Sequence, residues 1–161
     1  MKKQKGFSLI ELLIVVAIIL IIAAIAIPNL LRSKMAANES SAVGSMRTIN
    51  TAEVSYVTAY PNQGFSVDLT SLGGAAPCLV ATTGAACLLD NTLALAQAPA
   101  TAKSGYYFTY VAGAAPATTY TNSGLPATAG STGQRGFFTD QTGVIRYAIT
   151  GVATVASSPI Q

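Results

Sequence analysis

From Phe7 to Ile27 the chain reads FSLIELLIVVAIILIIAAIAI, 21 residues with one charge, Glu11, and one hydroxyl, Ser8. No face of this stretch is polar. As a helix it spans about 31 Å at 1.5 Å per residue, close to a hydrocarbon layer of roughly 30 Å. After Pro28 the pattern changes. Met35, Ala42, Met46, Ile49, Ala52, Tyr56 and Tyr60 recur at helical spacing and form one apolar stripe. Arg32, Lys34, Asn38, Ser41, Arg47 and Asn50 fall mostly elsewhere. Between Asn29 and Tyr60 there is no Pro and a single Gly, Gly44. The pattern predicts one long helix whose first half is apolar all round and whose second half is amphipathic. Pro61-Asn62-Gln63-Gly64 should end it.

Beyond the helix the signals are shorter. Residues 61–77 read as a loop with short ordered pieces. Ala86–Gln97 predicts a short helix stopped by Pro99. Lys103–Val111 has the aromatic and β-branched content of a strand. Gly136–Asp140 and Val144–Ile149 predict a hairpin, with Gln141-Thr142-Gly143 as its turn. Ala112–Gln134 carries two prolines, four glycines and many hydroxyls, and reads as a surface loop with one irregular strand near Thr118–Thr121. The expected fold class is α+β, a long amino-terminal helix whose stripe packs against a small antiparallel sheet.

Charge changes this picture at one end. The chain carries nine Lys and Arg against six Asp and Glu, a formal +3. Three of the nine are Lys2, Lys3 and Lys5, ahead of Gly6. Without residues 1–6 the balance is six basic and six acidic side chains. The basic character therefore belongs to the first six residues, where it would hold the amino end in the cytoplasm. It gives no reason to expect a specific nucleic-acid partner.

Candidate chemistry is sparse. There is no His, so a Ser-His-Asp triad cannot be built. Two Cys cannot make a structural zinc site, and no glycine-rich phosphate loop is present. Glu39 and Glu53 lie about 21 Å apart along one helix, too far to share a substrate. Asp68, Asp90 and Asp140 are scattered over predicted loops and ends, and a calcium site would need them to meet. These features point away from an enzyme and imply no cofactor or metal. Cys78 and Cys87 are read as a disulfide beyond an oxidising membrane face. Closing that short loop is worth roughly 2.5–3 kcal/mol on a chain-entropy argument. Asn38-Glu39-Ser40 fits a glycosylation triplet but falls on a predicted helix.

The apolar segment resembles a secretory signal peptide ending at Ala24-Ile25-Ala26. Two features oppose that reading. The run Leu12–Ile27 is slightly long for such a core, and Glu11 sits inside the apolar segment, where a carboxylate is costly. A cut between Gly6 and Phe7 would give Glu11 a partner, a free α-amine one helical turn away on Phe7. Neighbouring subunits could exchange these partners and so align during assembly.

The run Lys5-Gly6-Phe7-Ser8-Leu9-Ile10-Glu11-Leu12-Leu13, continuing to Ala26-Ile27-Pro28, resembles the class III signal of type IV pilins and pseudopilins. That resemblance implies a leader of residues 1–6, cleaved after Gly6 by a prepilin peptidase that N-methylates Phe7. It implies a membrane and filament-core helix over 7–27, an amphipathic continuation over 28–60 kinked at Pro28, and a globular head over 61–161. The implied function is a structural subunit of an extracellular filament, with a type II secretion pseudopilin as the alternative. The implied partners are copies of the chain, the peptidase, an inner-membrane assembly machine and lipid. The subunit would rest in the inner membrane with its amino end cytoplasmic, then move to a pilus or a periplasmic pseudopilus. Many pilins carry Gly where this chain has Leu20, a position where helicity can be lost on assembly.

Overall fold

The structure, a computed structural model, describes residues 7–74 and 77–160. The chain divides into two compact units, Met1–Lys34 and Met35–Gln161. One helix, α1 (Leu9–Ala59), contributes to both, and it runs through Pro28 without interruption. In the first unit the apolar residues are on the outside. Every large apolar residue from Leu9 to Leu31 is exposed. The helix is long and apolar enough to cross a membrane.

In the second unit the periodic stripe goes inside. Ala42, Met46, Ile49, Ala52 and Tyr56 are buried. They join Tyr106, Phe108, Phe137 and Ile145 in a single hydrophobic cluster. Tyr60 is partly buried against that cluster. The helix ends before Pro61, as the turn residues imply.

The sheet has five antiparallel strands in the order β1-β2-β3-β4-β5. They are β1 (Tyr106–Ala112), β2 (Tyr120–Pro126), β3 (Gly136–Asp140), β4 (Arg146–Ala148) and β5 (Ser158–Pro159). Strand β3 is buried along its whole length, because both of its faces are covered. The hairpin β3–β4 is where the alternation places it. Gly143 takes φ 74° in the connecting turn, a conformation that costs a glycine little.

Three expectations change. Strand β2 takes seven residues of the expected loop over 112–134, starting within and running beyond the irregular strand expected near Thr118–Thr121, and it pairs on both sides. Its composition hides it, since Asn122, Ser123 and Gly124 are poor strand formers in isolation. Tertiary packing is close at the glycine: a Cβ at Gly124 would lie 3.2 Å from the Phe108 ring, which would have to shift slightly. The expected helix over 86–97 shrinks to α3 (Asn91–Ala94), capped by Asp90. The preceding residues are held out of a helix because the amides of Ala86, Cys87, Leu88 and Leu89 donate to carbonyls of Ser71, Leu72 and Gly73. Those carbonyls lie at the end of a second short helix, α2 (Leu69–Leu72), within the expected loop. Strand β5 and a 3-10 turn over Pro99–Thr101 also carried no sequence signal.

Candidate assembly site

The residues expected to direct assembly lie at the start of α1. Gly6 and the lysines before it fall outside the described residues. Phe7 is 78% exposed. Glu11 occupies the first turn of the helix, where a carboxylate favours the positive end of the helix dipole. Its Oε2 accepts the Ser8 amide at 2.9 Å. This amide belongs to the peptide bond joining Phe7 to Ser8, so the carboxylate reaches back to within one residue of the nitrogen that cleavage would free. Phe7 itself lies two residues ahead of the helix, which begins at Leu9.

The same residues carry the similarity to known proteins. Residues 1–27 match the prokaryotic N-terminal methylation motif. Proteins similar to this chain include type IV pilins. The type IV major pilin protein PilA of Myxococcus xanthus is 46% identical over 54 residues, 34% of this chain and 24% of that protein. The type IV wide pilus major component PilA4 of Thermus thermophilus is 60% identical over 40 residues, 25% of this chain and 30% of that one. A fimbrial protein of Pseudomonas aeruginosa is 49% identical over 57 residues, 35% of this chain and 37% of its own length. The chain thus spans between about a quarter and two fifths of the length of these curated relatives. No solved structure matches it. These matches cover at most 57 residues of the chain, and the head is read on its own geometry.

In the head, Cys78 and Cys87 are bonded, with their Cα atoms 5.9 Å apart. The three aspartates expected to be scattered are each engaged locally. Asp68 accepts from the Ser71 amide at 2.7 Å and caps α2. Burial raises its carboxyl pKa, but hydrogen bonds from Thr70 and Ser71 outweigh this and hold it below the ordinary value. Asp90 caps α3 and pairs with Lys103 Nζ at 3.1 Å. The Thr92 hydroxyl lowers its pKa most, helped by Lys103 against a smaller opposing effect of burial. Asp140 accepts from the Thr142 amide at 2.9 Å in the hairpin turn. Among the described residues no three His, Cys, Asp or Glu side chains cluster as a metal site. The Asn38 side-chain amide donates to the Thr132 carbonyl at 2.8 Å, which removes it from the solvent-facing role a glycosylation triplet needs.

Two acids that carried no sequence signal do the most structural work. Glu39 is 8% exposed. Its Oε1 accepts the amides of Gln134 at 2.9 Å and Arg135 at 3.1 Å, and its Oε2 accepts Arg135 Nε at 2.7 Å. Burial raises the Glu39 pKa, yet these donors and the guanidinium charge overcome it and leave the pKa lowered. The carboxylate ties α1 to the loop between β2 and β3. Glu53 is fully buried. It accepts the Ser66 amide at 3.0 Å and the Ser66 hydroxyl at 2.5 Å, and among the described residues it has no cationic partner. Tyr110, whose hydroxyl donates to the Ser66 carbonyl at 3.1 Å, closes this group. Burial pushes the Tyr110 phenol well above its ordinary range.

Proposed function

We propose that this chain is a structural, non-enzymatic subunit of a type IV pilus-like filament. Residues 1–6 are a leader that a prepilin peptidase removes between Gly6 and Phe7, with methylation of the new Phe7 amine. Residues 7–27 anchor the subunit in the inner membrane with the amino end cytoplasmic. Residues 28–60 continue the helix, which Pro28 allows to kink by removing one backbone donor. Residues 61–161 form the exported head, braced by the Cys78–Cys87 bridge. Assembly moves the apolar segment from lipid into a core made of the same segments from other copies. Glu11 and the Phe7 amine of a neighbour then neutralise each other in an environment where either alone would be expensive.

One observation carries this reading. A helix whose apolar residues are exposed on every side holds one carboxylate, next to the amide of a cleavage-motif residue. Lipid or several like helices can cover such a surface all round. The relatives named above are pilus and fimbrial proteins, which supports a filament subunit.

The test is a Glu11→Val replacement. The variant should be cleaved and inserted normally, because neither step uses the carboxylate, but filament yield should fall at least tenfold. Filament counts by electron microscopy and the mass of the mature amino end provide the two readouts. Normal yield would sink the assembly mechanism. Long surface filaments built of this chain support the pilus reading, whereas short periplasmic assemblies would replace it with the pseudopilus.

A further inference from the structure

The edge of the sheet at β4 and β5 borders an open cavity of about 520 Å³, lined by Arg135, Tyr147, Ser158, Pro159 and Ile160. Arg135 is held there from several sides. Its Nε is committed to Glu39 at 2.7 Å. Its guanidinium carbon lies 5.6 Å from the ring centroids of both Phe137 and Tyr147. Yet the side chain remains 42% exposed. Among the described residues its two terminal amino groups make no hydrogen bond, and neither does the Ser158 hydroxyl. A planar guanidinium with both outer amines unused is shaped to grip a carboxylate through two parallel hydrogen bonds. Because Glu39 and the two rings already fix its orientation, binding would sacrifice little side-chain freedom. The cavity falls in the roughly 300–1,000 Å³ range of small-molecule sites.

We propose that this cavity is a binding site for a sugar-sized carboxylate, a uronic acid. The terminal amines of Arg135 hold the carboxylate and Ser158 meets a ring hydroxyl. The ligand comes from outside the chain rather than from the side chain of a second copy. Each of the head's own acids already accepts hydrogen bonds within the head: Glu39 from Arg135, Glu53 from Ser66, Asp68 from Ser71, Asp90 from Lys103 and Asp140 from Thr142. Glu11 lies in the apolar segment. Every residue of the site belongs to the Met35–Gln161 unit, so the proposal stands apart from the filament reading.

The experiment is calorimetric titration of the full mature chain in detergent micelles with galacturonate, galactose and acetate. Galacturonate should bind saturably, and galactose and acetate each at least tenfold more weakly. Arg135→Lys, which keeps the charge but loses the planar fork, should weaken galacturonate binding at least tenfold. Ser158→Ala, on an exposed strand, should weaken it a few-fold with an unchanged thermal midpoint. Four results would overturn the proposal: no saturable binding to the unaltered chain, equal affinity for galactose, equal affinity for acetate, or unchanged affinity in both variants.

Discussion

Two stretches of one helix use apolar residues in opposite ways. Ile18 to Ile22 are 52–64% exposed, whereas Met46 and Ile49 are fully buried. Intrinsic helix propensity does not separate them, since both stretches are helical. The difference is in the polar residues between the apolar ones. In the second stretch they confine the apolar positions to one stripe, which a single sheet can cover. In the first there is no polar face, so a single sheet cannot satisfy it. A solvent or assembly that is apolar on all sides is required. The first stretch is therefore built for its surroundings, and the second for its own head.

The comparison can be broken most sharply in the core. Met46→Ala or Ile49→Ala should cost the head about 2–5 kcal/mol, since each empties a fully buried site. Ile18→Ala should leave the same unfolding midpoint unmoved. Urea unfolding of the mature chain in micelles, followed by tyrosine near-ultraviolet dichroism, checks both. Equal losses in the two stretches would erase the distinction.

A smaller effect tests the polar tie between helix and loop. Glu39→Gln keeps the shape but removes the charge that Arg135 Nε meets, at a cost of about 1–3 kcal/mol. The pH dependence follows from the lowered carboxyl pKa values. A folded pKa below the unfolded one contributes stability that is complete above the unfolded pKa and is lost as pH falls through the folded one. Glu39, Asp68 and Asp90 all shift in that direction. The thermal midpoint should therefore hold from neutral pH to about pH 5 and then decline, and Glu39→Gln should shrink that decline. A decline of equal size in the variant would remove Glu39 from the account.

The smallest effect is expected at the exposed pair. Lys103 and Asp90 side chains are 32% and 50% exposed. Lys103→Ala should change stability by no more than about 0.5 kcal/mol, because solvent screens the pair. A loss above about 1 kcal/mol would show that the Asp90 cap depends on Lys103.

Legibility in the sequence followed the range of the interactions. The long helix was legible because its signals are local: an uninterrupted apolar run, a seven-residue stripe and a Pro-Asn-Gln-Gly stop. The β3–β4 hairpin was legible for the same reason, with Phe137 and Phe138 on one side of a Gly143 turn and Tyr147 on the other. Cys78 and Cys87 had only each other to pair with. By contrast, β2 has a loop-like composition and becomes a strand because β1 and β3 hydrogen-bond to it from both sides. The non-helical path of Ala86–Leu89 depends on the carbonyls of residues 71–73, a contact that helical propensity cannot report.

The acids divide along the same line. Glu11 was conspicuous in the sequence, because a lone carboxylate in an apolar run is costly wherever that run ends up. Glu39 and Glu53 looked like ordinary polar positions on an amphipathic helix. Folding gave Glu39 the Gln134 and Arg135 donors from some 95 residues away, and gave Glu53 the buried Ser66. The sequence alone determined the helix, its change from all-round to one-sided apolarity, and the methylation motif at its start, since periodicity and composition are read over neighbouring residues. Only the tertiary structure decided the five-strand order, the burial of Glu39 and Glu53 and the cavity over Arg135. Each of these depends on backbone and side-chain partners that folding brings together from distant parts of the chain.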